Sequence, residues 1–172
     1  MKKIVTILLT IYISIIVFMP KEQIIYTILN QANSQNINFK IENPTDFGIF
    51  ENISKLTLLY DKDEVLEVTN AKLFPLLLYN RLSFSNIDLV GNFKSMLDIK
   101  IIEAKLTQSI IAPTKIKIYA LSTIGKIEGR FDIKRNNLKV VLTPNDKFKA
   151  FKYKNYFKKT EEGYVYESHI KY

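Results

Sequence analysis

The chain changes its apolar period twice, and the two changes divide it. From Ile4 to Met19 the stretch IVTILLTIYISIIVFM carries no charge and no helix breaker; Lys2 and Lys3 precede it and Pro20-Lys21-Glu22 closes it. These sixteen residues, rising about 1.5 Å each, predict a helix of roughly 24 Å. A bilayer core is about 30 Å thick, so the helix is short but workable as a single span if Lys2, Lys3 and Lys21 snorkel and the bilayer thins. One alternative is a cleaved signal peptide, although Phe18, Met19 and Pro20 stand where cleavage wants small residues. The other is a buried helix of a soluble protein. After Pro20, the residues Ile24, Ile25, Ile28 and Leu29 recur at helical spacing, which predicts an amphipathic helix over about 20–32. That helix either covers the edge of a sheet or lies along a membrane.

At Ile37 the period becomes two. Ile37, Phe39 and Ile41 alternate with Asn38 and Lys40, and Leu56, Leu58 and Tyr60 alternate with Lys55 and Thr57, as half-buried strands do. Further strands are expected over 65–74, 82–93, 99–106 and 115–121, and a short helical turn over 76–80 after Pro75. Ile127, Phe131 and Ile133 pair with Leu138, Val140 and Leu142 across Arg135-Asn136-Asn137, a hairpin signal because Asn tolerates positive φ. Thr143-Pro144-Asn145-Asp146 reads as a turn and helix cap, followed by a short helix over 147–159; Tyr164 and Tyr166 lead a last strand. The predicted fold is mainly β: an N-terminal transmembrane helix and an amphipathic helix, then a curved, mostly antiparallel sheet, open-barrel or taco-like, with a short C-terminal helix. Residues 1–20 form the anchor and 21–172 one β-rich domain, since about 150 residues make a single domain.

Composition narrows the chemistry. Cysteine is absent and His169 is the single histidine, which removes disulfides, most metal sites and the common nucleophile–base pairs. Asp61, Asp63 and Glu64 lack the glycine and distant glutamate of a calcium loop and read as a charged turn. The five glycines are scattered singly, so no phosphate loop exists. The expectation is a non-enzyme without a cofactor. By the positive-inside rule Lys2 and Lys3 keep the N-terminus in the cytoplasm and place the main domain in the periplasm, at the bacterial inner membrane. The formal charge of +8 then points to anionic lipid or a protein partner rather than nucleic acid.

Two sets of residues are singled out. Leu56, Leu58, Phe84, Ile116, Ile118, Phe131 and Ile133 face inward and either fill an ordinary core or line an apolar groove for lipid. Lys147–Lys159, KFKAFKYKNYFKK, has six lysines and no acid, interleaved with five aromatics. Here Lys147, Lys149, Lys152, Tyr153, Lys154 and Tyr156 are the candidates for contact with an anionic membrane or an acidic partner, with Phe148 and Phe151 on the packed side. A terminal helix with its lysines simply in water is the plainer reading.

The order of parts, with LTLLYDKDEVLEVTNAKLFPLLLYNRLSFSNIDLVG closing on Gly91, then GKIEGRFDIKRNNLKVVL and the tail FKAFKYKNYFKKTEEGYVYE, resembles type II secretion system protein N and the wider AsmA-like membrane proteins. The resemblance implies a periplasmic curved β domain on the inner membrane, with no catalytic residues to carry over. It also implies either an accessory, scaffolding role beside envelope secretion or assembly proteins, or the handling of a bound lipid in an apolar groove.

Overall fold

The computed structural model describes residues 2–21, 23, 37–97 and 99–169. Helix α1 spans Lys2–Phe18. Ten strands follow: β1 Ile37–Asp46, β2 Glu51–Tyr60, β3 Asp63–Pro75, β4 Tyr79–Leu89, β5 Lys100–Ser109, β6 Ala112–Ser122, β7 Gly125–Asp132, β8 Asn137–Pro144, β9 Lys158–Thr160 and β10 Gly163–His169. A one-and-a-half-turn helix α2, Gly91–Met96, lies between β4 and β5. All ten strands form one antiparallel sheet in the order β1 to β8, then β10, then β9. The sheet is open, with β1 and β9 at its edges, and each strand packs substantially only on its hydrogen-bonded neighbours.

Short turns explain the meander. Asp61 and Lys62 both take positive φ, 50° and 75°, the conformation a two-residue hairpin needs. Asn136 sits at φ 49° in the β7–β8 turn, as its tolerance of left-handed backbone predicts. Gly125, at φ 142°, opens β7 where any Cβ would meet the Thr143 carbonyl at 2.2 Å.

Several expectations need correction. No helix among the described residues is long and apolar enough to cross a membrane. Helix α1 stops at Phe18 because Pro20 drives the preceding residue, Met19, out of helical backbone. Lys21 does not snorkel: its side chain is fully buried, and its ammonium donates to the Val17 and Met19 carbonyls and to Asp46 Oδ2 at 3.2 Å. The amphipathic helix expected over 20–32 falls almost wholly outside the described residues. The segment after Pro75 is not helical; Leu78 N–H donates to the Leu76 carbonyl across Leu77, at φ 60°, a three-residue turn. The strand expected over 82–93 ends at Leu89, where Gly91 turns at φ 58° into α2. Residues 147–159 form two separate 3-10 turns, Asp146–Ala150 and Lys154–Tyr156, rather than one helix.

Candidate functional site

In an antiparallel ladder, residues directly opposite share a face. Tracing the register from strand to strand gives apolar rows that run across the sheet. Phe39, Leu58, Leu66 and Leu89 form the first, and Ile41, Leu56, Val68, Ile87 and Ile101 the second. The third runs Ile53, Ala71, Phe84, Ala104, Ala120, Ile127, Leu142. The fourth runs Leu73, Leu82, Leu106, Ile118, Gly129, Val140, Tyr166, and the fifth ends in Ile116, Phe131 and Leu138. The opposite face is polar, as in the row Lys40, Thr57, Glu67, Asp88, Lys100, laced by pairs such as Lys55–Glu67 and Lys100–Asp88.

The second and third rows are three residues apart on each strand: 53 and 56, 68 and 71, 84 and 87, 101 and 104. Strict alternation would put them on opposite faces, yet they share one buried cluster. A crease across the first five strands reconciles this. Asn43 and Asn86 take positive φ, 49° and 51°, the β3–β4 ladder skips the pair beside Asn86, and the β5–β6 register slips between Ile101 and Glu103. An extra residue at such a crease bends the strand and re-aims its side chains.

Of the residues read from the sequence, Leu56, Leu58, Phe84, Ile116, Ile118 and Phe131 all lie on this apolar face. Ile133 does not; it sits in the β7–β8 turn, 43% exposed, with its N–H on the Thr114 carbonyl. The rows are buried along the crease, where Val68 and Ala71 are each 1% exposed. Away from it Phe39, Leu58, Leu66, Phe84, Leu106, Ile118 and Phe131 keep part of their surface in solvent. Over the end of the third row the late aromatic segment does pack, with Phe148 against Leu142 and with Ile127 in the same cluster.

The basic-aromatic segment occupies one end of the sheet. Phe148, 3% exposed, packs with Ile124, Leu142, Phe151, Phe157 and Tyr164, its ring 4.5 Å from that of Tyr164. Asn145 caps the first turn by accepting from the Lys147 N–H. Lys147, Lys149, Lys152 and Lys154 are exposed, Tyr153 is half-buried against Phe151, and Tyr156 is exposed. Between this segment and α2 lies a cleft of about 690 Å³, where Lys94, Lys100, Lys147 and Lys152 surround a floor that includes Leu97 and Phe151. Lys100 in it is already paired with Asp88. On the polar face a shallow groove of about 810 Å³ has mixed charge, with Lys117, Arg130 and Lys139 beside Glu128, Glu162 and Glu167.

At the other end of the sheet the turns are apolar: Phe47 and Ile49, then Leu77 and Leu78, then Ile110 and Ile111, all exposed. Sequence reasoning missed these. The available signal was large apolar residues at turn positions, where polar and small ones are the rule. Helix α1 reaches this same end, with the Tyr12 hydroxyl donating to the Leu76 carbonyl at 2.6 Å and Lys21 paired with Asp46. Nearby, the Arg81 side chain hydrogen-bonded to Tyr79 holds its phenol below the usual range. No group of acidic, histidine or cysteine side chains among the described residues is arranged to hold a metal ion. No protein-family model matches the chain, and no curated protein or solved structure is similar to it.

Proposed function

We propose that this protein is a membrane-attached lipid-binding module of the AsmA-like kind, holding an acyl chain against the apolar face of its sheet. The observation that carries the reading is that the first, fourth and fifth apolar rows stay partly open to solvent on one face of an open sheet. Strands about 4.8 Å apart give the longest rows, of seven strands, a run of roughly 29 Å, ample for a lipid tail. About ten buried methylenes at ~0.8 kcal/mol each give roughly 8 kcal/mol before the cost of association. Attachment falls to α1, whose apolar side chains are exposed all round, with Ile16 the exception. A helix apolar on every side belongs in a packed core or a membrane. Its 17 residues leave it short of a crossing, so it enters the interface of one leaflet, with Lys2 and Lys3 at the headgroups.

Native mass spectrometry of the purified full chain, before and after incubation with phospholipid, tests the reading. The expected result is a mass increment of one phospholipid that is lost in Ile118→Asp, with circular dichroism unchanged. Lipid-free spectra of the wild type under both conditions, or an increment that survives Ile118→Asp, would overturn it, because retention in the variant assigns the lipid to α1.

A second reading, the accessory scaffold of an envelope secretion or assembly machine, is favoured by β1. Among the described strands it pairs on one side only, through nine of its ten residues, and such an edge accepts a partner strand. Crosslinking in intact cells from Asn38 or Lys40 is expected to recover an envelope protein if this is its role.

A further inference from the structure

We infer that the apolar turn tips at one end of the sheet form a membrane-docking rim, so that the sheet stands on a lipid bilayer with its strands pointing away from it. Outside α1, twelve large apolar side chains are exposed among the described residues, and eight of them belong to this end. Phe47, Ile49, Leu77, Leu78, Ile110 and Ile111 come from three successive hairpin turns, and Tyr79 and Ile133 complete the set. Ile111 is 92% exposed. Four different turns therefore expose apolar residues in one place, whereas the turns at the opposite end carry Asp61-Lys62 and Glu161-Glu162.

The occupant follows from continuity with α1. The mostly apolar helix is fastened to this end by Tyr12 on Leu76 and by Lys21 on Asp46, with Val17 beside Gly48. A helix that enters lipid therefore brings the turn tips down onto the same surface. The charge pattern agrees. Arg81 and Lys115 are exposed just behind the tips, and Lys134 and Arg135 are exposed in the fourth turn itself, where cations meet anionic headgroups. Two carboxylates at this end are engaged, Asp46 with Lys21 and Asp132 with the Arg135 N–H. Aromatic and aliphatic tips backed by cations are the arrangement that settles at a bilayer interface. The rim lies beside the fifth apolar row, with Ile133 two residues beyond Phe131 of β7.

The inference rests on the membrane attachment of α1, and the test separates the two. The chain has no tryptophan, so single tryptophans report position: Leu9→Trp in α1, Ile111→Trp at the rim and Glu161→Trp at the far end. Each full-length variant is reconstituted into phosphatidylcholine–phosphatidylglycerol vesicles whose acyl chains are brominated, and emission is compared with that in unbrominated vesicles. The expected result is loss of most emission from Leu9→Trp and Ile111→Trp, a blue-shifted Ile111→Trp spectrum, and no loss from Glu161→Trp. Quenching at Leu9→Trp alone overturns the rim and leaves the attachment of α1 standing. Quenching of none overturns both, and equal quenching of all three overturns the rim as a specific surface.

Discussion

Lys21 shows how a single side chain ties helix to sheet. Its ammonium is fully buried and pairs with Asp46, itself partly exposed. Removing the carboxylate leaves a buried charge on two carbonyls, which costs more than removing the charge itself. Asp46→Ala is therefore expected to destabilise by about 1–3 kcal/mol, a fall in Tm of roughly 2–10 °C for a chain of this size, with Lys21→Met falling less. Thermal denaturation followed by circular dichroism checks the order; the reverse order would mean the pair contributes through packing. Gly125 is the second residue whose identity the fold dictates. A Cβ there would overlap the Thr143 carbonyl, at a φ that side chains rarely adopt, so Gly125→Ala is expected to cost about 3 kcal/mol. Urea denaturation should show the midpoint moving to lower concentration.

At the scale of elements, the crease decides what the sheet buries. Period-two reading assigns each strand one face from end to end, and for β6, β7 and β8 that holds. Across β1 to β5 the inward side switches parity, and along that crease Asn43 in β1 and Asn86 in β4 adopt left-handed backbone that a β-branched residue resists by about 1–2 kcal/mol. Asn86→Val is expected to destabilise by that amount while Asn86→Gly stays near neutral, measured as shifts in the urea midpoint. Equal losses from both would point to the Asn86 side chain rather than to its backbone. The same reasoning explains the late segment: aromatics at 148, 151 and 157 are spaced to close one cluster with Tyr164, and two 3-10 turns aim them where one continuous helix would not.

For the whole molecule, the two ends of the sheet carry different surfaces. The basic-aromatic turns lie a strand length from the rim, about 27–36 Å for strands of this length, well beyond the ~8 Å reach of charge in physiological salt. Lys152→Glu combined with Lys154→Glu is accordingly expected to leave binding to anionic vesicles unchanged, as read by flotation of the full chain. A clear drop would place the membrane at the basic end instead. Under the rim reading, those lysines and the cleft beside α2 face away from the bilayer.

Local pattern determined a good deal. The apolar run predicts α1, alternation predicts most strands, and Asn136 predicts its hairpin, because these depend on neighbours within a few residues. Six of the seven inward residues could be named for the same reason. The rest required the tertiary structure. Which strand ends gather at one place depends on the meander as a whole, so Phe47, Leu77 and Ile111, more than sixty residues apart in the chain, become one surface only when the hairpins line up. The parity switch at the crease leaves apolar residues three apart, such as Phe84 and Ile87, a spacing that strict alternation does not interpret without the left-handed backbone at Asn86 between them. The burial of Lys21 needed a carboxylate delivered from β1, twenty-five residues away, and no short-range pattern encodes a pairing whose distance is set by the fold.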